Sequence, residues 1–448
     1  MTATLEELCH AMLDAARKTG AETADAIATG GASLSVQVRG GALEHAERSE
    51  STDVGLRVLI GRRQAMVSAS DSRPETLAAM AERAVAMARE APEDPHAGLA
   101  DPAQLARGWD VAALDLHDPA PEPSPQTLQD AARVAEAAAL AVPGVTQVSD
   151  AEAGCGAHTV HMAATNGFSG GYARTSHWLS CVAIAGTGTG MERDYDGDSR
   201  SHHADLRDAA GIGTTAGQRA AARLAPRKPA TGTYPVLFDE RISFSLLGHL
   251  LAAANGAAIA RGSSWLMGRL GEQVLPESLS LIEDPHRPRI AGSRPFDGEG
   301  LATARRAIVE NGMLTGWTLD LSSARKLDLA PTGNAARGVS SPPSPANWNI
   351  ELVGNGQRRA DLIKGIGSGL LVTSMIGSTI NPNTGDYSRG ASGFWIENGE
   401  IAWPVNECTI AGNLHDMLRR MVPADDARPW LSRVAPSILI EGMTLAGQ

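Results

Sequence analysis

Histidine and carboxylate side chains a few residues apart can hold a hydrolytic metal, and H-E-x-x-H places a Glu base between two such ligands. The sequence contains no His-Glu dipeptide. His158 and His161 form H-x-x-H, but an offset of three in a strand puts the two rings on opposite faces, so they could share an ion only on a helix. His202 and His203 stand near Asp194, Asp196 and Asp198. An EF-hand loop needs Gly at its sixth position and Ser199 is there, so a solvated loop is expected. Nucleophilic catalysis of the G-x-S-x-G type finds only near misses, GIGSG at Gly365 and GASGF at Gly390, which read as turn glycines. Cys408 would need a distant base such as His415 or His249, and a buried strand cysteine is the expected reading. GIGTTA at Gly211 matches G-x-G-x-x-A, yet no buried parallel strand precedes it and there is no G-K-[ST] loop, so it reads as a Gly-rich helix entry.

The elements that must position these residues follow from periodicity. Leu5, Leu8, Cys9, Met12, Leu13 and Ala16 fall on one helical face, and Gly20 ends the helix. Leu34, Val36 and Val38, then Leu56, Val58 and Ile60, alternate with polar residues as antiparallel strands do, and a Gly61-Arg62 turn leads to a third run through Ala69. Asp71 or Ser72 is expected to cap a helix with Pro74 near its start. Seven prolines from Pro92 to Pro125 make 91–125 an extended connector between two subdomains. Residues 126–141 are helical, and the Asn166-Gly167 pair centres a long hairpin over His158–Ala185. A helix from about Ala216 to Leu224, a strand at TYPVLFD and a helix from Ser243 to Arg261 follow. The remainder, with LLVTSMIG, GFWIENG and IAWPV, suggests a twisted antiparallel sheet with long loops.

The fold class is therefore α+β: an N-terminal region of antiparallel strands and flanking helices over 1–226, and a β-rich C-terminal domain over 227–448. The 448 residues carry a net charge of −12, which disfavours contact with nucleic acid. Four separated cysteines suggest neither a disulfide framework nor a zinc ribbon and suit a cytoplasmic protein. Ser245–Ala260 is too short and too polar to span a membrane, and the N-terminus reads as a first helix rather than a signal peptide.

The densest patch of glycine, turn residues and paired charge begins at Thr384, where Asp386 and Arg389 could pair across a tight loop. It reads as a loop and hairpin or as a peptide or partner interface, with Gly385, Asp386, Tyr387, Ser388, Arg389, Gly390, Trp395 and Trp403 as the interface candidates. Aromatics and Arg are favoured at interface cores, although core packing explains the tryptophans equally well.

At these residues the sequence resembles the TldD/PmbA family, also called the modulator of DNA gyrase family, in its PmbA/TldE branch. MERDY at Met191, SARKL at Ser323, TGDYSRGA at Thr384, WIENGEI at Trp395, TIAGNL at Thr409 and the terminal EGMTLAG carry the resemblance. It implies a two-domain fold and a cytoplasmic, heterodimeric zinc metallopeptidase acting on unfolded or small peptides, including microcin precursors and an antitoxin. In that assembly the TldD-type subunit holds zinc on H-E-x-x-x-H plus a later Cys, and the PmbA-type subunit lacks these ligands. The matching helix here reads F-S-L-L-G-H: Phe244 and Ser245 stand where the first His and the Glu would be, and only His249 remains. One histidine supplies neither three ligands nor a base.

The resemblance thus implies a non-catalytic subunit with no cofactor of its own, zinc in its TldD-type partner and extended peptides as substrate. A homodimer in isolation stays open. An independently active peptidase homodimer with an atypical site and a gyrase-modulating binding protein are the rival readings.

Overall fold

The computed structural model describes residues 3–448. In the N-terminal half, helix α1 (Leu5–Thr19) leads into β1 (Thr23–Arg39), β2 (Ala42–Ile60), β3 (Arg63–Ala69) and α2 (Pro74–Glu90). The connector holds one short helix, α3 (Val111–Leu114). Helix α4 (Pro125–Leu140), β4 (Val145–Ala164), β5 (Ser169–Ala185), β6 (Glu192–Arg200) and α5 (Ala209–Ala222) complete this half. Strands from both sides of the connector share one antiparallel sheet, ordered β3-β2-β1-β4-β5-β6.

Alternation along β1 sets the layers. Ala24, Ala26 and Ala28 face α1 and α2, and Leu34, Val36 and Val38 face α4 and α5. Side chains two apart share a face, so both helix pairs cover the same side of the sheet at its two ends. Thr4 and Glu7 close a capping box on α1. Pro74 is the first residue of α2, as its sequence predicts, but the cap residue is Arg73, and Asp71 instead accepts the Arg73 N–H at 3.0 Å. Helix α5 starts at Ala209, seven residues earlier than its periodicity suggests. Gly211 and Gly213 are inside it, and a Cβ on Gly213 would lie 1.9 Å from the Ala135 carbonyl oxygen. Gly213 therefore lets α4 and α5 close on each other.

The C-terminal half runs β7 (Gly232–Phe238), α6 (Glu240–Ala253), α7 (Gly256–Arg261), β8 (Leu279–Glu283), β9 (Arg306–Glu310), β10 (Met313–Leu314), α8 (Leu321–Leu327), β11 (Ala335–Ala336), β12 (Ser344–Pro345) and β13 (Ile350–Gly354). It ends with α9 (Arg359–Gly365), β14 (Ser368–Ile380), β15 (Asp386–Glu397), β16 (Glu400–Asn413), α10 (Leu414–Arg419), β17 (Val422–Pro423), β18 (Arg433–Val434) and β19 (Ile438–Ala446). The sheet β16-β15-β14-β7-β19-β17 closes on itself because β16 also pairs with β19, which makes a barrel. It is antiparallel except where β14 runs parallel to β7. GASGF lies within β15 rather than in a turn. Asn398 and Gly399, at φ 52° and 80°, form the tight β15–β16 turn that only such residues favour. The single helix expected over Ser243–Arg261 is two. Thr318 inserts between them, donating its N–H to the Ala254 carbonyl and accepting from Gly256 N–H.

The two halves meet on the sheet face opposite the helices. There Ile27, Met162 and Phe168 pack with Phe296 and Trp109. A Cβ on Gly55 would lie 2.1 Å from the Val339 carbonyl oxygen. Beside them Asp25 and its cross-strand neighbour Arg57 are joined by Arg337.

Candidate functional site

Helix α6 is apolar on nearly every side. Leu246, Leu247 and Leu250 are buried among Val236, Phe238, Val372 and Ile440 of the barrel strands. Its start is fixed by Asp239, whose carboxylate accepts the Arg241 N–H. Ser245 and His249, four residues apart, share one helical face. Both are half-buried, and their buried polar atoms, Ser245 Oγ and His249 Nε2, have no hydrogen-bond partner. The His249 ring packs edge-on against Tyr387 of β15, with centroids 5.9 Å apart. Tyr387 in turn donates its hydroxyl to Met375 Sδ at 3.3 Å. Burial, helped by the charge of Arg389, holds His249 below the ordinary histidine range, so the ring is neutral near pH 7. Burial pushes the Tyr387 hydroxyl up to about 12. Phe244 points elsewhere, under the guanidinium of Arg433 at 5.5 Å.

This donor set does not fit zinc, which takes three protein ligands in a catalytic site. Cys408 Sγ donates to the Ala391 carbonyl at 3.2 Å, and burial raises its thiol to about 11. The His415 ring lies edge-on to Trp265 at 4.7 Å. Among the described residues no three His, Cys, Asp or Glu side chains are placed to hold a metal ion. What remains is a half-buried helix face packed on Tyr387, where His249 and Ser245 make no hydrogen bond to one another.

The run after Thr384 forms two barrel strands. Tyr387 and Trp395 are core residues, and Trp395 stacks on half-buried Trp403 with centroids 5.6 Å apart. Gly385 is buried beside Trp265, whereas Asp386 is exposed and Ser388, Arg389 and Gly390 are half-buried. Asp386 and Arg389 do not pair: Asp386 accepts from Thr384 and Asn413, and Arg389 Nε donates to the Gly377 carbonyl at 2.8 Å. They are three apart on one strand and project to opposite faces.

The other histidine motifs lie in the N-terminal half. His158 and His161 are both on β4, the first in contact with Gly31 and the second bonded to Ser169. His202 bonds to the Asp115 carbonyl at 3.0 Å. The expected solvated loop is instead strand β6, where Asp194, Asp196 and Asp198 are buried and matched by Arg241, Arg219 and Arg200. Buried carboxylates need such partners; Arg200 is a neighbour on β6, whereas Arg219 and Arg241 come from later helices that no local pattern displays.

The closed barrel with α6 packed on it, preceded by a helix-backed antiparallel sheet, is an architecture shared with known proteins. Residues 24–88, 118–224 and 231–447 match the PmbA/TldA metallopeptidase domain 1, central domain and C-terminal domain. The chain belongs to the PmbA/TldD metallopeptidase family. It is 37% identical to Metalloprotease PmbA of Escherichia coli O157:H7 over 99% of this chain and 96% of that one. It is 34% identical to the Metalloprotease PmbA homolog of Haemophilus influenzae over 97% and 94%. A solved structure from Bacteroides thetaiotaomicron, whose name refers to modulation of DNA gyrase, superposes with a TM-score of 0.90 at 26% identity over 99% of both chains. TldE from Thermococcus kodakarensis has the same fold, with a TM-score of 0.84 at 20% identity over 98% of this chain and 99% of that one.

Proposed function

We propose that this chain is a non-catalytic subunit of a cytoplasmic zinc peptidase, pairing with a TldD-type sister that carries the metal and helping to admit extended peptides. The observation that carries this reading is the α6 face: within a metallopeptidase family, the helix offers His249 alone, neutral and unaccompanied by a carboxylate or second ligand. Ile376, 79% exposed on β14 next to the Gly377 carbonyl that Arg389 binds, gives the same end of the barrel an apolar contact for a partner or peptide. Main-chain hydrogen bonds to a strand edge would hold peptides of broad sequence.

The test is co-expression with a TldD-type subunit, followed by peptide cleavage and elemental zinc analysis. A stable complex is expected to cleave peptides when neither chain does so alone, with zinc well below one per molecule in this chain purified by itself. His249→Leu in this chain should leave cleavage by the complex intact. No complex, or near-stoichiometric zinc lost on His249→Leu, refutes the reading.

A further inference from the structure

Beside α7, the contact between the two halves lines an open cavity of about 280 Å³, near the lower end of the size of small-molecule sites at roughly 300 Å³. Its walls come from both halves: Arg57 and Gln64 from β2 and β3, Arg261 at the end of α7, Glu299, and Ser322 and Lys326 of α8. Arg261 and Lys326 have no carboxylate within salt-bridge distance among the described residues. Beneath the floor, two buried guanidinium groups, Arg57 and Arg337, share the one carboxylate of Asp25. One positive charge is left over.

The acidic groups nearby accept hydrogen bonds from neutral donors of the protein. Asp320 accepts from Ser323 N and Oγ, and Asp297 accepts three backbone N–H groups, those of Glu299, Leu301 and Ala335. Glu299 Oε2 accepts the Leu321 N–H at 2.8 Å, while Oε1 has no hydrogen-bond partner among the described residues. Burial, then repulsion from Asp297, raises the Glu299 carboxyl to about 8, against the pull of Arg57. Near neutral pH it is an acid able to donate a hydrogen bond. Gln64 Oε1 accepts from Arg57 at 3.3 Å, which leaves its NH₂ as a further donor.

We propose that this cavity binds a compact oxyanion, a phosphate monoester or a small polycarboxylate, held between Arg261 and Lys326 and hydrogen-bonded by Glu299 and Gln64. Unpaired cations and unused donors converge there, and Arg57, Arg261 and Lys326 outnumber the carboxyl groups of Asp320 and Glu299 on the walls. A bound anion would link α7 and α8 to β2 and β3 and so tie the halves together.

Calorimetric titration of the full chain with inorganic phosphate and, separately, with malonate tests this, at constant ionic strength set by chloride. Saturable binding of phosphate alone identifies the monoester, and of malonate alone the carboxylate; both outcomes support the site. The double variant Arg261→Gln/Lys326→Gln, changed at exposed positions, should weaken binding at least tenfold. Glu299→Gln keeps a donor at every pH, so it should bind at pH 9, where the unmodified chain loses affinity as Glu299 ionises. Absence of saturable binding by both anions, or binding that the double variant leaves unchanged, overturns the proposal.

Discussion

Replacing Asp25 by Asn should destabilise the protein more than replacing Arg337 by Met, although both break the same buried contact. Asp25 and Arg57 are each 5% exposed, and the Arg337 side chain is 1% exposed. Arg57 reaches Asp25 Oδ2 through Nε at 2.8 Å and Nη2 at 2.5 Å, while Arg337 Nη1 pairs with Oδ1. Asp25→Asn leaves two buried guanidinium groups with no anion between them, and removing one partner of a buried ion pair costs about 3–5 kcal/mol. Arg337→Met leaves a one-to-one Asp25–Arg57 pair. Its main loss is one partner of Oδ1, about 1–3 kcal/mol, so the gap between the variants is about 2 kcal/mol. Urea unfolding followed by tryptophan fluorescence and circular dichroism measures it. Burial alone would raise the Asp25 carboxyl, but Arg337 and Arg57 outweigh burial and hold it below the usual range. A depressed carboxyl stabilises the fold above its unfolded value and loses that contribution as pH falls through the folded one. The difference between Asp25→Asn and the unmodified protein should therefore shrink in acid. Arg337→Met proving equal to or worse than Asp25→Asn would refute the charge accounting.

Three further outcomes are expected. Gly213→Ala should destabilise by about 1–3 kcal/mol, because its methyl would meet the Ala135 carbonyl oxygen at 1.9 Å. Gly248→Ala in α6, where nothing lies within 4 Å, should stabilise by about 0.5–1 kcal/mol; shifts of the urea midpoint in the same direction would contradict the packing argument. Glu299, whose carboxyl is raised on folding, contributes stability below its unfolded range that fades as pH climbs toward about 8. Glu299→Gln should flatten that decline, and thermal denaturation between pH 5 and pH 9 would expose an unchanged slope.

Much of the fold is visible in local pattern. The helix of α1, the alternation of β1 and β2 and the Asn166-Gly167 hairpin depend on neighbours within a few residues, and each lies where its spacing places it. Several misreadings share one cause, which is contact between distant segments. Asp194, Asp196 and Asp198 look like a solvated acidic loop until Arg219 and Arg241 arrive to match them. The helix after Ser243 looks continuous until Thr318 takes its hydrogen bonds. Tyr387 and Trp395 have the residue types of an interface and are core residues because the barrel closes around them.

The sequence by itself determined the family, through motifs spread along the chain. Only the tertiary structure decided where the candidate histidine and cysteine groups sit, with His249 edge-on to Tyr387, Cys408 bonded to the Ala391 carbonyl and His415 against Trp265, because convergence of side chains is a property of three-dimensional packing. The same holds for the cavity between the halves. Arg57, Arg261, Glu299 and Lys326 are separated by up to hundreds of residues, and their charges interact only once burial brings them together in a medium that screens them less than water.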